Sequence, residues 1–335
     1  MVATATSVVG VMALAGCGGS SDASSRSKAV SEVGFSILEQ PNKKVIEDFQ
    51  ATADGKGVAF KQSYGASGDQ ARAVLGGVKA DLVHLSLEPD VQKLVDAKLV
   101  SSSWNQTPTK GILTQSVVVI VVRKGNPKNI QTWDDLVKPG VKIITPNPAS
   151  SGSAKWNILA AYGHVLADGG SEADASAYLT KFFGNVEALP GSGRDATTAF
   201  QSGQGDVLLS YENEAILARQ SGADFDYVVP PETLLIQNPG AVTTDASPAA
   251  KKFLTYLTGK EAQTTYATEG FRPLDDSIKV DVEGANDPSD PFPAPSKKLL
   301  TIDGDFNGWS DANTKFFDEN DGLVTKIQKE TGKES

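Results

Sequence analysis

Residues 145–157 read TPNPASSGSAKWN and join a strand signal directly to a helix signal. Residues 141–145 (VKIIT) are rich in β-branched side chains and suit a strand, which Pro146 and Pro148 bring to an end. Ser150, Ser151 and Ser153 then offer capping hydroxyls ahead of an apolar run, so a helix is expected to begin near Gly152. The first turn of a helix leaves backbone N–H groups unpaired and carries a partial positive charge. A small Ser/Gly loop lets an oxyanion reach that backbone, so the stretch is expected to bind an anion without help from Lys or Arg.

A single loop of this kind also describes any capped helix. The chain has two more, at residues 63–70 (SYGASGDQ) after the strand signal at 58–62, and at residues 191–196 (GSGRDA) after the one at 186–189. Three such helix starts can converge on one ligand.

Upstream, the periodicity alternates. A strand is expected at 33–38, then a helix capped by Asn42 with Val45, Ile46 and Phe49 on one face, a strand at 58–62, and a helix holding Ala71, Val74 and Leu75. A strand at 81–87 and a helix at 90–100 complete a βαβαβα order. That order implies an α/β fold with a mainly parallel sheet flanked by helices, and such sheets bind ligands at the carboxyl ends of their strands. Residues 116–124 (SVVVIVVRK) are the longest apolar run outside the N-terminal segment and suit a strand buried on both faces, the first of a second lobe. Further helices are expected at 133–137, 152–166 and from Ser171, with strands at 141–145, 186–189 and 206–210. Residues 227–237 carry Pro230 and Pro231 and read as the crossing back to the first lobe. Ser247 and Pro248 start a helix as N-cap and first residue, 288–295 is irregular, and 310–327 reads as one closing helix. Two crossings leave a cleft between two lobes, which is the expected ligand site. The expected division is lobe one at 29–113 and 233–335, and lobe two at 114–232.

Residues 1–16 are apolar, small and uncharged, and end at Cys17, the single cysteine of the chain. They are too short for a membrane span, which needs about 20 residues, and read as a secretion signal. Leu14, Ala15, Gly16 and Cys17 resemble the lipobox of bacterial lipoproteins, which implies lipidation at Cys17, although no basic residue precedes the apolar stretch. Residues 17–28 form a Ser/Gly tether that keeps the folded body near a membrane. An extracytoplasmic, lipid-anchored location is expected, with the membrane contacted through the anchor alone.

The 335 residues allow two domains, and 39% hydrophobic with 21% charged residues is an ordinary globular balance. A formal net charge of −10 argues against nucleic acid and anionic membrane surfaces as partners. A buried small anion is still allowed, because distant surface charge is screened over about 8 Å at physiological salt. One Cys and two His exclude a disulfide framework and a Cys/His zinc cage within one chain. His84 and His164 lie in apolar runs and read as packed residues without a triad. A secreted serine hydrolase is opposed by the lack of a G-x-S-x-G elbow, of a P-loop, and of any S-x-x-K outside the tether. Neither enzyme activity, a cofactor nor a metal is therefore expected.

Five stretches carry a resemblance to a known family: residues 145–157, 63–71 (SYGASGDQA), 122–128 (VRKGNPK), 205–215 (GDVLLSYENEA) and 271–273 (FRP). On these the chain resembles the bacterial periplasmic sulfate-binding proteins that feed ABC importers, over nearly the whole chain after Cys17. The resemblance implies a two-lobed periplasmic-binding-protein fold, type II-like, and a monomer that hands sulfate, or thiosulfate, to a membrane permease. In the family a desolvated sulfate is held by backbone N–H groups at helix N-termini, serine hydroxyls and a Trp indole. Carried over by position, this implies ligand contacts from Ser67 in lobe one and from Ser151, Gly152, Ser153 and Gly193 in lobe two, with Tyr211 at the Trp position. Ser153 replaces a usual Gly, which requires its φ to stay negative. Gln40 is a further candidate donor, in the stretch of Leu38, Glu39, Gln40 and Pro41 where the family has an Asp-containing turn. Arg194 and Asp195 read as a mutually neutralising pair or as support behind the loop. A receptor for phosphate or molybdate is the alternative within the class.

Overall fold

The structure, a computed structural model, describes residues 28–333. The expected leader at 1–16, and Cys17 with most of its tether, lie outside these residues. The chain starts with β1 (Ala29–Phe35), a 3-10 turn (Ser36–Leu38) and α1 (Glu39–Ala51). It continues through β2 (Ala59–Gly65), α2 (Ser67–Leu75), β3 (Leu82–His84) and α3 (Glu88–Asp96). β1 pairs in parallel with β2 and with β3, as strands joined through helices do. Asn42 does not cap α1. It is buried inside the helix, where its amide donates to Glu32 Oε1 at 2.7 Å and accepts from Tyr266 OH at 2.7 Å.

The chain leaves this sheet along β4 (Ile112–Arg123). α4 (Trp133–Leu136), β5 (Ile143–Ile144), α5 (Gly152–Ala167), α6 (Glu172–Asn185) and β6 (Val186–Ala188) follow. After them come α7 (Gly193–Gln201), β7 (Val207–Tyr211), α8 (Glu212–Gln220) and β8 (Phe225–Val228). β9 (Glu232–Val242) brings the chain back. The strand order is β2-β1-β3-β9-β4-β7-β5-β6, with β8 beside β4.

This is a two-lobed α/β fold, and its two long strands explain how the lobes connect. β4 pairs with β9 from Ile112 to Val117, then with β7 from Val118 to Val122. β9 in turn ends against β3, where Gly240 faces His84. The outer strands of each lobe are parallel, as expected, but the centre is antiparallel. The reason is directional: β4 carries the chain out and β9 carries it back. Along β4 the side chains alternate between two cores, Val117, Val119 and Val121 in one and Val118, Ile120 and Val122 in the other, and all six are buried. Burying each stabilises the fold by about 1.5–3 kcal/mol, so the crossing is a stiff strand.

The last third adds α9 (Pro248–Leu257), capped by Ser247 Oγ accepting from Ala250 N at 3.1 Å, and α10 (Lys260–Thr268). The sequence reading lacks α10, because its buried face includes Gln263 and Thr265, which mask the apolar stripe. Gln263 Nε2 satisfies itself by donating to the Leu113 and Leu257 carbonyls. β10 (Lys298–Leu300) adds a parallel edge to β9. After α11 (Ile302–Asp305), the expected single closing helix at 310–327 is two pieces, α12 (Gly308–Phe317) and α13 (Leu323–Thr331). α12 and α13 are separated because the Asp318 carboxylate accepts from the N–H groups of Asn320 and Asp321, turning the chain. Gly322 completes the turn, where a Cβ would sit 2.7 Å from backbone atoms of Asp318 and Phe316.

Candidate functional site

The carboxyl ends of β2, β5 and β7 lead into the starts of α2, α5 and α8. α2 and α5 begin with backbone in the extended region at Ala66 and Ser151, and neither has a side chain capping its N–H groups. α8 likewise starts uncapped after Tyr211. By contrast α6, α7 and α9 are capped by Ser171, Ser192 and Ser247. Ser67, Gly68, Gly152 and Ser153 are nevertheless buried. Buried N–H groups at such starts, with a helix dipole behind them, can hold an anion; Gly68 N and Asn213 N already donate, to Ser150 O and Ser116 Oγ.

The two sides of the cleft touch. Gly68 N donates to Ser150 O at 3.1 Å, and Trp156 Nε1 donates to Ser86 O at 3.1 Å. A Cβ on Gly152 would lie 2.5 Å from Ser86 Oγ, so glycine permits this approach. The loops before α5 and α7 are stitched together, with Asn147 N on Pro190 O at 2.8 Å and Ser150 Oγ on Gly191 O at 2.7 Å. Gly193 lies against Ser153, whose Oγ would be 3.2 Å from a Cβ at that position. Ser153 has helical backbone with negative φ, so serine fits there without strain. Its hydroxyl is buried beside the Tyr211 phenol and makes no other hydrogen bond among the described residues.

Ser67, Ser151, Gly152, Ser153, Gly193 and Tyr211 are thus brought together, and Gln40 is not. The Gln40 side chain is exposed on α1 and accepts from Lys43 Nζ at 3.1 Å. Its neighbour Glu39 is exposed too. The Ser67 hydroxyl is occupied: Oγ donates to Asp90 Oδ2 at 2.7 Å and accepts from Ser86 N at 3.0 Å. Ser67→Ala therefore leaves a buried carboxylate and a buried N–H short of a partner, which should cost about 1–3 kcal/mol of folding stability. Urea unfolding of the variant checks this, and an unchanged midpoint with an unchanged slope would refute it.

Arg194 and Asp195 do not pair. Asp195 Oδ2 accepts from Ser192 Oγ at 2.7 Å as part of the α7 cap. The Arg194 guanidinium lies 3.0 Å from Glu214 Oε2 and 3.5 Å from Ile37 O across the cleft. Burial pushes the Glu214 carboxyl up to about 7, against the pull of Arg194. Lys155, in the first turn of α5, is pushed down to about 8 by burial and donates to Asn313 Oδ1 at 3.1 Å. Tyr211 is fully buried, and burial pushes its phenol well above its ordinary value, so it stays protonated. His84 is packed as expected, with Nε2 3.2 Å from Thr114 Oγ1, and burial pushes it down to about 3. His164 Nδ1 donates to Ala161 O at 2.7 Å.

Ser86, Ser36 and Asp90 were not legible in the sequence as members of this cluster. Ser86 follows the carboxyl end of β3, a position where α/β sheets hold ligands, but the apolar run around it reads as continuous strand. Ser36 starts the 3-10 turn, and its Oγ accepts from Arg194 N at 3.5 Å.

The family model described as bacterial extracellular solute-binding protein matches residues 36–272. The sulfate-binding protein of Synechococcus elongatus is 39% identical, covering 98% of this chain and 94% of that relative. The thiosulfate-binding protein of Escherichia coli is 35% identical over 78% of this chain and 79% of its own. Among solved structures, the sulfate-binding protein SubI from Mycobacterium tuberculosis H37Rv superposes with a TM-score of 0.81 at 43% identity, covering 87% of this chain and 100% of that one.

Proposed function

Since the chain belongs to the bacterial extracellular solute-binding proteins, we propose that it captures sulfate, or thiosulfate, and delivers it to the membrane permease of an ABC importer. The observation that carries this is the pair of helix starts at α2 and α5 with no side-chain cap, buried and in contact through Gly68 N and Ser150 O, with the buried Ser153 hydroxyl beside them. Sulfate is a dianion with no proton near neutral pH, so a pocket of donors satisfies all its oxygens. Hydrogen phosphate brings a proton that needs an acceptor, and a buried unmatched polar group costs about 1–3 kcal/mol. Glu39 is exposed and Asp195 already accepts from Ser192, which argues against either serving a protonated ligand.

The lobes are 29–113 with 233–335, and 114–232; β4 changes partner from β9 to β7 between Val117 and Val118, close to the first limit. The body works outside the cytoplasm as a monomeric receptor without catalysis, held to the membrane by a lipid on Cys17. Calorimetric titration with sulfate, thiosulfate, phosphate and molybdate tests the reading. One sulfate should bind per chain, with phosphate at least about ten-fold weaker, equivalent to about 1.4 kcal/mol. Tighter binding of phosphate or molybdate than of sulfate would assign a different oxyanion.

A further inference from the structure

We propose that Ser86 is the positioning residue that aims the Tyr211 hydroxyl at the bound oxyanion, the two side chains forming a hydroxyl relay across the cleft. The inference rests on the oxyanion-binding reading above. Ser86 Oγ and Tyr211 OH are 2.8 Å apart, and both residues are buried. They come from opposite sides: Ser86 follows β3, and Tyr211 ends β7.

The backbone of Ser86 is held from both sides. Its N–H donates to Ser67 Oγ at 3.0 Å, and its carbonyl accepts from Trp156 Nε1 and Asn238 Nδ2, each at 3.1 Å. Gly152 closes over its side chain. Tyr211 is fixed by pairing with Val118 and by packing against Phe35, ring centres 6.2 Å apart. What stays free is the direction of the hydroxyl protons of Ser86 and Tyr211, with the Ser153 hydroxyl and the Asn238 amide also beside the phenol.

That direction decides what the site offers. A phenol has one proton. If Tyr211 gives it to Ser86, the oxyanion meets only phenol lone pairs. If Ser86 donates to Tyr211, the phenol proton is free for the ligand, and the chain of two hydrogen bonds polarises the donor. A fully ionised oxyanion selects the second arrangement. Because the pair spans the cleft, the relay is complete only when the two sides are together, so it acts on release rather than capture.

The test is a double-substitution cycle read by stopped-flow release of sulfate from the full chain. Ser86→Ala and Tyr211→Phe should each speed release about five- to ten-fold, the worth of one net hydrogen bond, and the double variant should release no faster than the quicker single one. Ser86→Cys keeps the shape but donates weakly, and should behave like Ser86→Ala; it carries the test should the alanine variant not fold. Wild-type release from Ser86→Cys would make the role one of packing and overturn the relay. So would effects that multiply in the double variant, or a Ser86→Ala release rate within two-fold of wild type. A folded wild type that binds no sulfate would overturn the proposed function as well, whereas normal wild-type binding with an unaltered Ser86→Ala overturns the relay alone.

Discussion

Gly152→Ala should abolish sulfate binding while leaving the protein folded. Gly152 is the first residue of α5 with nothing in its own helix against a methyl, so the strain falls between the two sides of the cleft and each lobe should still fold. The added methyl, however, would sit 2.5 Å from Ser86 Oγ, 2.7 Å from Ser86 Cβ and 2.8 Å from Leu87 Cγ. Ser86 cannot yield, because its N–H and carbonyl are tied by three hydrogen bonds. The two sides of the cleft must part instead. Hydrogen bonds to a charged ligand are each worth about 1.5–3 kcal/mol and weaken steeply with distance, so losing two of them lowers affinity more than about a hundred-fold. Calorimetry should find no sulfate binding at micromolar protein, while circular dichroism without sulfate should match that of the wild type. Gly193→Ala is a milder control, since its methyl would meet the flexible end of Ile37 at 3.0 Å. Sulfate binding by Gly152→Ala within three-fold of wild type would remove α5 from the site.

Glu32→Gln should reshape the pH dependence of stability. Glu32 lies buried on β1, where Oε1 accepts from Asn42 Nδ2 at 2.7 Å and Oε2 from Tyr64 OH at 3.2 Å, with no cation bonded to it. Burial pushes its carboxyl from an ordinary 4.5 up to about 7. The folded state therefore holds this proton more tightly than the unfolded chain. Its contribution to stability is fully present below pH 4.5 and is lost as pH rises through 7, a swing of about 3 kcal/mol. Glutamine keeps the shape of the protonated acid and has no proton to lose. In urea unfolding the two proteins should be alike near pH 4.5, and the variant should be the more stable by about 3 kcal/mol at pH 8. Glu214, also raised to about 7, is common to both and cancels in the difference. Parallel curves from pH 4.5 to 8 would show that Glu32 is ionised in the fold throughout.

Local periodicity in the sequence determined most of the elements and the helix starts at Gly152, Ser67 and Gly193, because spacings of two and of three to four residues encode which face is buried. It also determined that the crossing at β4 is buried on both faces, since six consecutive apolar residues leave no polar side. The class of ligand followed from chemistry that is equally local: small residues, hydroxyls and uncapped N–H groups. Only the tertiary structure decided which of those groups are free. Ser67 looked like a hydroxyl donor, but the fold places Asp90 against it. Gln40, four residues beyond Ser36, lies on the exposed face of α1 because the 3-10 turn rotates the chain there. Arg194 meets Glu214 rather than its neighbour Asp195, which is taken by the helix cap. Ser86 and Tyr211 are 125 positions apart, and nothing in the spacing of either stretch marks them as partners. Their contact depends on how the carboxyl ends of two strands meet across the cleft, and that is set by the pairing of β4 with both β9 and β7, a long-range geometry to which local periodicity is blind.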